Sequence, residues 1–319
     1  MLLITGGTGF IGGHLVERLA AAGEPARCFI RRKTLPAWWP PEMEPAFGDL
    51  ASGDGLKDAL RGVDAVIHLA GTTKALRPAD YHAGNVRAAE TLARALADRP
   101  VRLVHVSSLA AAGPGAFVTE EMEPRPVSHY GRSKLEGERI VRAIAPEAVI
   151  VRPPVVYGPR DTDVFQVLKS VARGFALEIA GGERWFSAIY VKDLVEGLLE
   201  AVRSPRAAGR TYFLAHPKRV TWGELAATAA RIMGRRPPRA VRAPLALAYA
   251  AGCCAEAWSR LSGRPNIMSR DKMREARSRD WTCDAGRAAA ELGFEAHTGL
   301  EAGLAETLAW YKEAGWLRY

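Results

Sequence analysis

Leu2-Leu3-Ile4-Thr5-Gly6-Gly7-Thr8-Gly9-Phe10-Ile11-Gly12 stands at the head of the sequence, and its reading decides the fold. Leu2 to Ile4 form a short apolar run that suits a strand buried on both faces. Glycines follow at 6, 9 and 12, and from Phe10 to Leu19 the apolar residues recur at helical spacing. Strand, glycine turn and helix in that order make a dinucleotide-binding fingerprint rather than a chance glycine pattern. Gly6 permits the tight turn, Gly9 lets backbone approach a pyrophosphate, and Gly12 lets the helix pack on the strand. The helix N-terminus then offers unpaired N–H groups and its positive dipole end to phosphate.

Outward from this stretch, Gly23-Glu24-Pro25 ends the helix and Ala26 to Ile30 reads as a second strand. Ala46 to Leu50, Ala65 to Gly71 and Val101 to Ser108 read as further strands. A long helix, Tyr81 to Ala97, lies between the last two. This alternation predicts an α/β fold, a doubly wound parallel sheet with right-handed crossovers. Ligands on such sheets sit beyond the carboxyl ends of the strands, where Gly71 and Ser107-Ser108 fall. Past Gly158-Pro159 the alternation stops, which predicts a smaller, mostly helical C-terminal substrate domain. The expected boundaries are 1–157 for the dinucleotide domain, with a returning strand (Ala188 to Val191) and helix within 188–214. Residues 158–187 and 215–319 form the cap. Thr221-Trp222-Gly223-Glu224 and Thr298-Gly299-Leu300-Glu301 read as capping boxes opening two of its helices.

The second strand ends in Arg31-Arg32, where folds of this kind place an acidic residue on the adenosine ribose or an arginine on a 2′-phosphate. A charge-assisted hydrogen bond is worth about 1.5–3 kcal/mol. NADP(H) is therefore expected over NAD(H), which stays possible if these arginines are only solvated.

Tyr130-Gly131-Arg132-Ser133-Lys134 opens a helix to about Ile144, so Tyr130 and Lys134 share a face. Ser108, at the end of the preceding strand, lets a hydroxyl, a phenol and an ammonium converge beside the nicotinamide. A phenol titrates near pH 10, and bringing it to neutrality takes about 4 kcal/mol. One ammonium about 4 Å away at an effective dielectric near 20 supplies that much. Tyr130 would then work as an acid and base at ordinary pH.

These stretches, with Gly48-Asp49-Leu50, His68-Leu69-Ala70-Gly71 and Arg152-Pro153-Pro154-Val155-Val156-Tyr157-Gly158-Pro159, resemble the extended short-chain dehydrogenase/reductase family. That is the NAD-dependent epimerase/dehydratase group, and the likeness spans essentially the whole chain. It implies Tyr130 as catalytic acid/base, Lys134 as its modifier and ribose ligand, and Ser108 as donor to the substrate oxygen. It also implies Asp49 and Leu50 beside the adenine. Thr8, Phe10, Ile11, Leu69, Ala70, Gly71 and Pro153 join the glycines around the cofactor, and Asn85 takes a supporting place. Nucleotide-sugar members carry an arginine seven residues before the aspartate of Val191-Lys192-Asp193-Leu194, and Phe186 stands there. The usual asparagine before Val-Tyr-Gly-Pro is missing too. The chain is thus more similar to the dihydroflavonol-reductase and 3β-hydroxysteroid-dehydrogenase branches, which act on apolar ketones and alcohols. A sugar epimerase or dehydratase and a non-catalytic dinucleotide-binding scaffold are the alternatives. The resemblance also implies a homodimer.

Composition agrees with an ordinary globular enzyme: 319 residues, 48% hydrophobic, net charge +9. No base-reading motif accompanies the charge, so nucleic acid is not expected. An anionic cofactor or a membrane surface fits it. Cys28, Cys253, Cys254 and Cys283 show neither metal-ligand nor disulfide spacing, and no histidine pair has metal spacing. His68 and His105 read as satisfied core residues, and Trp38-Trp39 as a loop packing on the sheet edge. The N-terminal apolar run is too short for a signal peptide and leads straight into the glycine turn, so none is expected, and a cytoplasmic location is. The apolar stretch Ala243 to Trp258 falls short of the roughly 20 residues a span needs. It is expected to line the substrate pocket, or, with Arg239 and Arg242, to touch a membrane weakly.

Overall fold

The computed structural model describes residues 1–31, 34–262 and 270–319. Arg32 and Lys33 lie outside the described residues, as do the side chains at 256–258 in the apolar stretch. The chain begins β1 (Leu2–Thr5), α1 (Phe10–Ala21), β2 (Ala26–Ile30), β3 (Glu44–Phe47), α2 (Leu56–Ala59) and β4 (Ala65–His68). The long helix expected between β4 and β5 is continuous from Pro78 to Leu96, as α3 (Pro78–His82) and α4 (Ala88–Leu96) with a π-helical turn at Ala83–Arg87 between them. That turn carries Asn85. Next come β5 (Arg102–Val106), α5 (Leu109–Ala112), β6 (Gly115–Val118), α6 (His129–Ile144), β7 (Val149–Val151) and β8 (Val155–Tyr157).

The remaining elements are α7 (Val164–Ala172), β9 (Phe175–Ile179), β10 (Trp185–Phe186), β11 (Ala188–Tyr190), α8 (Val191–Arg203), β12 (Thr211–Tyr212), β13 (Val220–Thr221) and α9 (Trp222–Ile232). After them run β14 (Arg239–Ala243), α10 (Leu245–Ser262), α11 (Arg270–Ala276), β15 (Asp280–Cys283), α12 (Gly286–Leu292) and α13 (Leu300–Glu313).

Seven strands pair in the order β12-β7-β5-β4-β1-β2-β3, and every pairing is parallel. The fold is the doubly wound Rossmann sheet. Successive strand residues point to opposite faces, and both faces are covered. Ile4, Ile67 and Val104 pack with Leu15 and Leu19 of α1 and Leu194 and Leu198 of α8. Leu3, Val66 and Leu103 pack on the other side with Leu92, Leu96 and Val141. The sheet winds outward from β1 to β3, then crosses back to β4. The crevice between the ends of β1 and β4 is therefore the switch point where ligands bind.

Two expectations change. Ala188–Tyr190 does not rejoin the main sheet; it pairs with β8 in a sheet of its own, and β12 is the strand that returns. Thr298 caps no helix: Gly299 is the cap residue of α13. The Thr298 hydroxyl and N–H instead donate to Asp193, at 2.7 and 2.8 Å, because a carboxylate that accepts both outcompetes the local turn. Thr221 does cap α9, accepting the Glu224 N–H at 3.1 Å. Trp38 packs on α1 at Gly13 rather than on a sheet edge. The Arg160 guanidinium lies over its ring at 4.8 Å.

Candidate functional site

The glycine turn closes as its spacing demands. Gly6 has φ +75°, and a Cβ there would lie 2.7 Å from the Ala70 nitrogen across the crevice. A Cβ on Gly12 would lie 2.2 Å from the Gly6 carbonyl oxygen. The Gly9 N–H donates to Gly6 O at 2.9 Å, and Gly9 caps α1 without any side-chain bond. The first-turn N–H groups at Phe10, Ile11 and Gly12 are thus left for an external anion. Thr8 and Gly9 are exposed beside them. This cradle fits a dinucleotide pyrophosphate.

The facing wall is the end of β4. Leu69 N–H donates to Thr5 O at 3.1 Å, and Ala70 N–H to the Thr5 hydroxyl at 3.2 Å. Gly71 is exposed, and a Cβ on it would meet Asn85 Oδ1 at 2.8 Å and Lys134 Nζ at 3.7 Å. Asn85 accepts the Thr72 N–H at 2.8 Å and donates to Ser133 Oγ at 2.9 Å. One amide thereby ties the cofactor wall to α6. Farther out, the Asp49 carboxylate accepts the Ala51 N–H at 2.8 Å, and Leu50 is buried under the same turn. Arg31 is exposed at the end of β2. Pro153 is buried, and its carbonyl accepts the Leu109 N–H at 2.9 Å behind Ser108.

Ser108 caps α5, accepting the Ala110 N–H at 3.1 Å, and its side chain lies near enough to lower the Tyr130 phenol. Lys134 is buried, and its ammonium donates to Val106 O at 2.7 Å. Burial pulls Lys134 down to about 8, while Glu138 pushes it up. Glu138 in turn receives both guanidinium arms of Arg152, at 3.0 and 2.6 Å.

Burial pushes the Tyr130 hydroxyl up to about 12, and Ser108 only partly offsets this. Glu275 raises it further and Lys272 lowers it, while the Lys134 ammonium donates to a carbonyl. Sequence reasoning missed α11 altogether. Its Asp271 accepts the N–H groups of His129 and Tyr130, and the charges of its Lys272 and Glu275 act on the phenol. Tyr81 lies beside Tyr130 too, with ring centroids 6.0 Å apart. No local pattern marks these residues.

Beneath Lys134 lie His68 and His105, paired across β4 and β5 with rings 5.2 Å apart. His68 Nδ1 meets the Thr5 hydroxyl at 2.7 Å. Its Nε2 and both nitrogens of His105 have no partner among the described residues, so the pair is buried and only half of His68 is satisfied. Burial, helped by the Lys134 charge, lowers both and keeps the rings neutral. Among the described residues no cluster could hold a metal.

The profile of the NAD dependent epimerase/dehydratase family matches residues 2–215. The chain belongs to that family. It is an enzyme of the extended short-chain dehydrogenase/reductase type, an NAD(P)-dependent oxidoreductase. It is 34% identical over 318 residues to a ceramide reductase of Caulobacter vibrioides, covering 99% of this chain and 96% of that one. It is 25% identical over 279 residues to the N-acetyl-alpha-D-glucosaminyl-diphospho-ditrans,octacis-undecaprenol 4-epimerase of Escherichia coli O157:H7, covering 84% of this chain and 82% of that one. Among solved structures, MoeE5 in complex with UDP-glucose and NAD superposes with a TM-score of 0.78. Identity is 27%, over 98% of this chain and 99% of that chain.

Proposed function

We propose that this enzyme transfers a hydride between NADP(H) and the carbonyl or alcohol carbon of an apolar substrate, of the sterol, flavonoid or alkyl-ketone kind. The observation that carries the substrate class is at Phe186. Where sugar-nucleotide relatives keep an arginine for diphosphate, this side chain is buried and stacks on Trp222 with ring centroids 4.3 Å apart. Arg184 does not replace it. Its guanidinium donates to the carbonyls of Ala276, Ile179 and Gly182 at 3.2, 2.8 and 3.2 Å. The relative named for reducing ceramide, itself a long-chain lipid, supports the same reading.

The bound dinucleotide supplies the hydride donor or acceptor. Gly6, Gly9 and Gly12 would admit its pyrophosphate, Lys134 its ribose hydroxyls, and Arg31 a 2′-phosphate. Tyr130 gives the proton to the substrate oxygen during reduction, or takes it back in the reverse direction. The Ser108 hydroxyl holds that oxygen by a hydrogen bond.

The test follows nicotinamide absorbance with NADPH and a set of long-chain and polycyclic ketones, beside UDP-sugars. Net oxidation of NADPH by the ketones alone is the expected result. Conversion of a UDP-sugar without net oxidation would overturn it in favour of an epimerase. Binding of NADPH with no turnover of either class would leave only a scaffold.

A further inference from the structure

The strands β9 and β14 form a two-stranded parallel sheet with no third strand. One face packs inward through Ala176, buried with Leu168 and Val171 of α7. The other face has no cover among the described residues. In the pairing register Phe175 lies beside Arg239 and Leu177 beside Val241, so these side chains point the same way. Phe175 is 51% exposed, Leu177 64% and Val241 47%. β14 runs through Pro244 straight into α10, where Leu247 is 63% and Tyr249 38% exposed. Five large apolar side chains on one short sheet and the helix it leads into are more than scattered surface residues.

The rim of this patch is basic. Arg173 precedes β9, Arg235 and Arg236 precede β14, and Arg239 lies on β14 on the same face as Phe175, all exposed. Arg242, on the opposite face, pairs with Glu178 at 3.4 Å. For Arg173, Arg235, Arg236 and Arg239 no carboxylate lies within ion-pair distance among the described residues. The α10 run is uncharged from Ala243 to Ala255. Its apolar side chains on a ring of cations make the composition of an interfacial element, which lies on a bilayer and does not cross it. No described helix is long and apolar enough to cross a membrane.

We propose that the β9–β14 face and the first turns of α10 dock on a bilayer surface containing anionic lipid. Phe175, Leu177, Val241 and Leu247 enter the headgroup boundary while the arginines meet lipid phosphates. A second copy of this chain is the poorer occupant. A two-fold contact would set this arginine rim against itself, because such an interface presents the same patch on both sides. The proposal stands apart from the substrate reading, since it concerns a surface and not the cleft.

The test uses the full chain with sedimenting vesicles, one set of phosphatidylcholine and one of equal parts phosphatidylcholine and phosphatidylglycerol. The protein is expected to pellet with the anionic set and to be released by high salt, since surface attraction is screened. Arg235→Ala with Arg236→Ala should lower partitioning about 25-fold, at about fivefold for each cation lost. Phe175→Ser with Leu177→Ser should lower it at least about tenfold. Both variants should keep the wild-type melting temperature and NADPH affinity. Wild-type protein that stays in the supernatant overturns the proposal, as does equal binding to both vesicle sets. So does a concentration-dependent dimer, without vesicles, that the Phe175/Leu177 variant abolishes. If either variant fails to fold, the salt and lipid dependence of the wild type still decides.

Discussion

The carboxylate of Asp271 accepts the backbone N–H of Tyr130 at 3.2 Å, and with its other oxygen that of His129 at 2.7 Å. The next donors of α6 are met by Ser128, whose hydroxyl accepts the Gly131 N–H at 2.9 Å and whose carbonyl accepts Arg132 at 3.0 Å. The three free donors of the first turn, at His129, Tyr130 and Gly131, are thereby satisfied, and Arg132 makes the first intrahelical bond. A carboxylate also suits the positive end of the helix dipole. α11 is thus a clasp that fixes the Tyr130 end of the site from the far end of the chain.

Asp271→Ala leaves two donors unmet and is expected to cost about 1–2 kcal/mol of stability. Asp271→Asn keeps an acceptor oxygen and should cost less. Thermal unfolding of the three proteins checks this, and identical melting temperatures would mean that the clasp contributes nothing.

Tyr130→Phe keeps the ring and removes only the hydroxyl. If Tyr130 is the proton donor, ketone reduction should fall about 10²–10⁴-fold while NADPH affinity holds. Because burial keeps the hydroxyl protonated up to about 12, it is charged with its proton throughout the neutral range. Reduction by the wild type should therefore stay level with pH around neutrality, and alcohol oxidation should climb as pH rises. A reduction rate that drops tenfold per pH unit through neutrality contradicts this assignment.

The parts of the molecule that sequence reveals are those built from neighbours. β1, the glycine turn and α1 are contiguous, so spacing alone shows which glycine faces what, and Gly6 and Gly12 sit against backbone as their positions require. Tyr130 and Lys134 share one turn of one helix for the same reason. Asp271 is 141 residues from Tyr130, and nothing near it in sequence says where it goes. Ala188–Tyr190 has the composition of any buried strand, and only packing decides that β8 is its partner. The burial of the Tyr130 phenol and the α11 charges that act on it, Glu275 raising and Lys272 lowering, come from residues far off in sequence, so spacing within α6 does not reveal them.

Lys134 gives a pH signature of its own. Burial brings its ammonium down to about 8 from an ordinary 10.5. Between those values the unfolded chain binds more protons than the folded one, so this group makes stability rise with pH there. The cost of burying the ammonium is full below about 8 and is relieved above it. Over the whole window the gain is about 3 kcal/mol. In denaturant titrations, wild type should gain stability on Lys134→Met as pH rises from about 8 toward 10.5. A difference that stays flat or runs the other way rules out a lowered lysine.

Arg31 decides the cofactor if the 2′-phosphate reading holds. It is exposed at the carboxyl end of β2, beside the crevice, and the first acidic residue after β2 in the sequence is Glu42. An arginine there gains a charge-assisted bond from NADPH that NADH cannot offer, worth about 1.5–3 kcal/mol or roughly ten- to a hundredfold. Arg31→Ala should weaken NADPH by about that factor and leave NADH nearly unchanged. Arg31→Asp should go further, repelling the phosphate and offering the ribose hydroxyls an acceptor, so that the preference reverses. Fluorescence titration of each variant with both dinucleotides gives the four ratios. Equal losses for NADH and NADPH would mean that Arg31 touches no 2′-phosphate and only supports the adenine end of the groove.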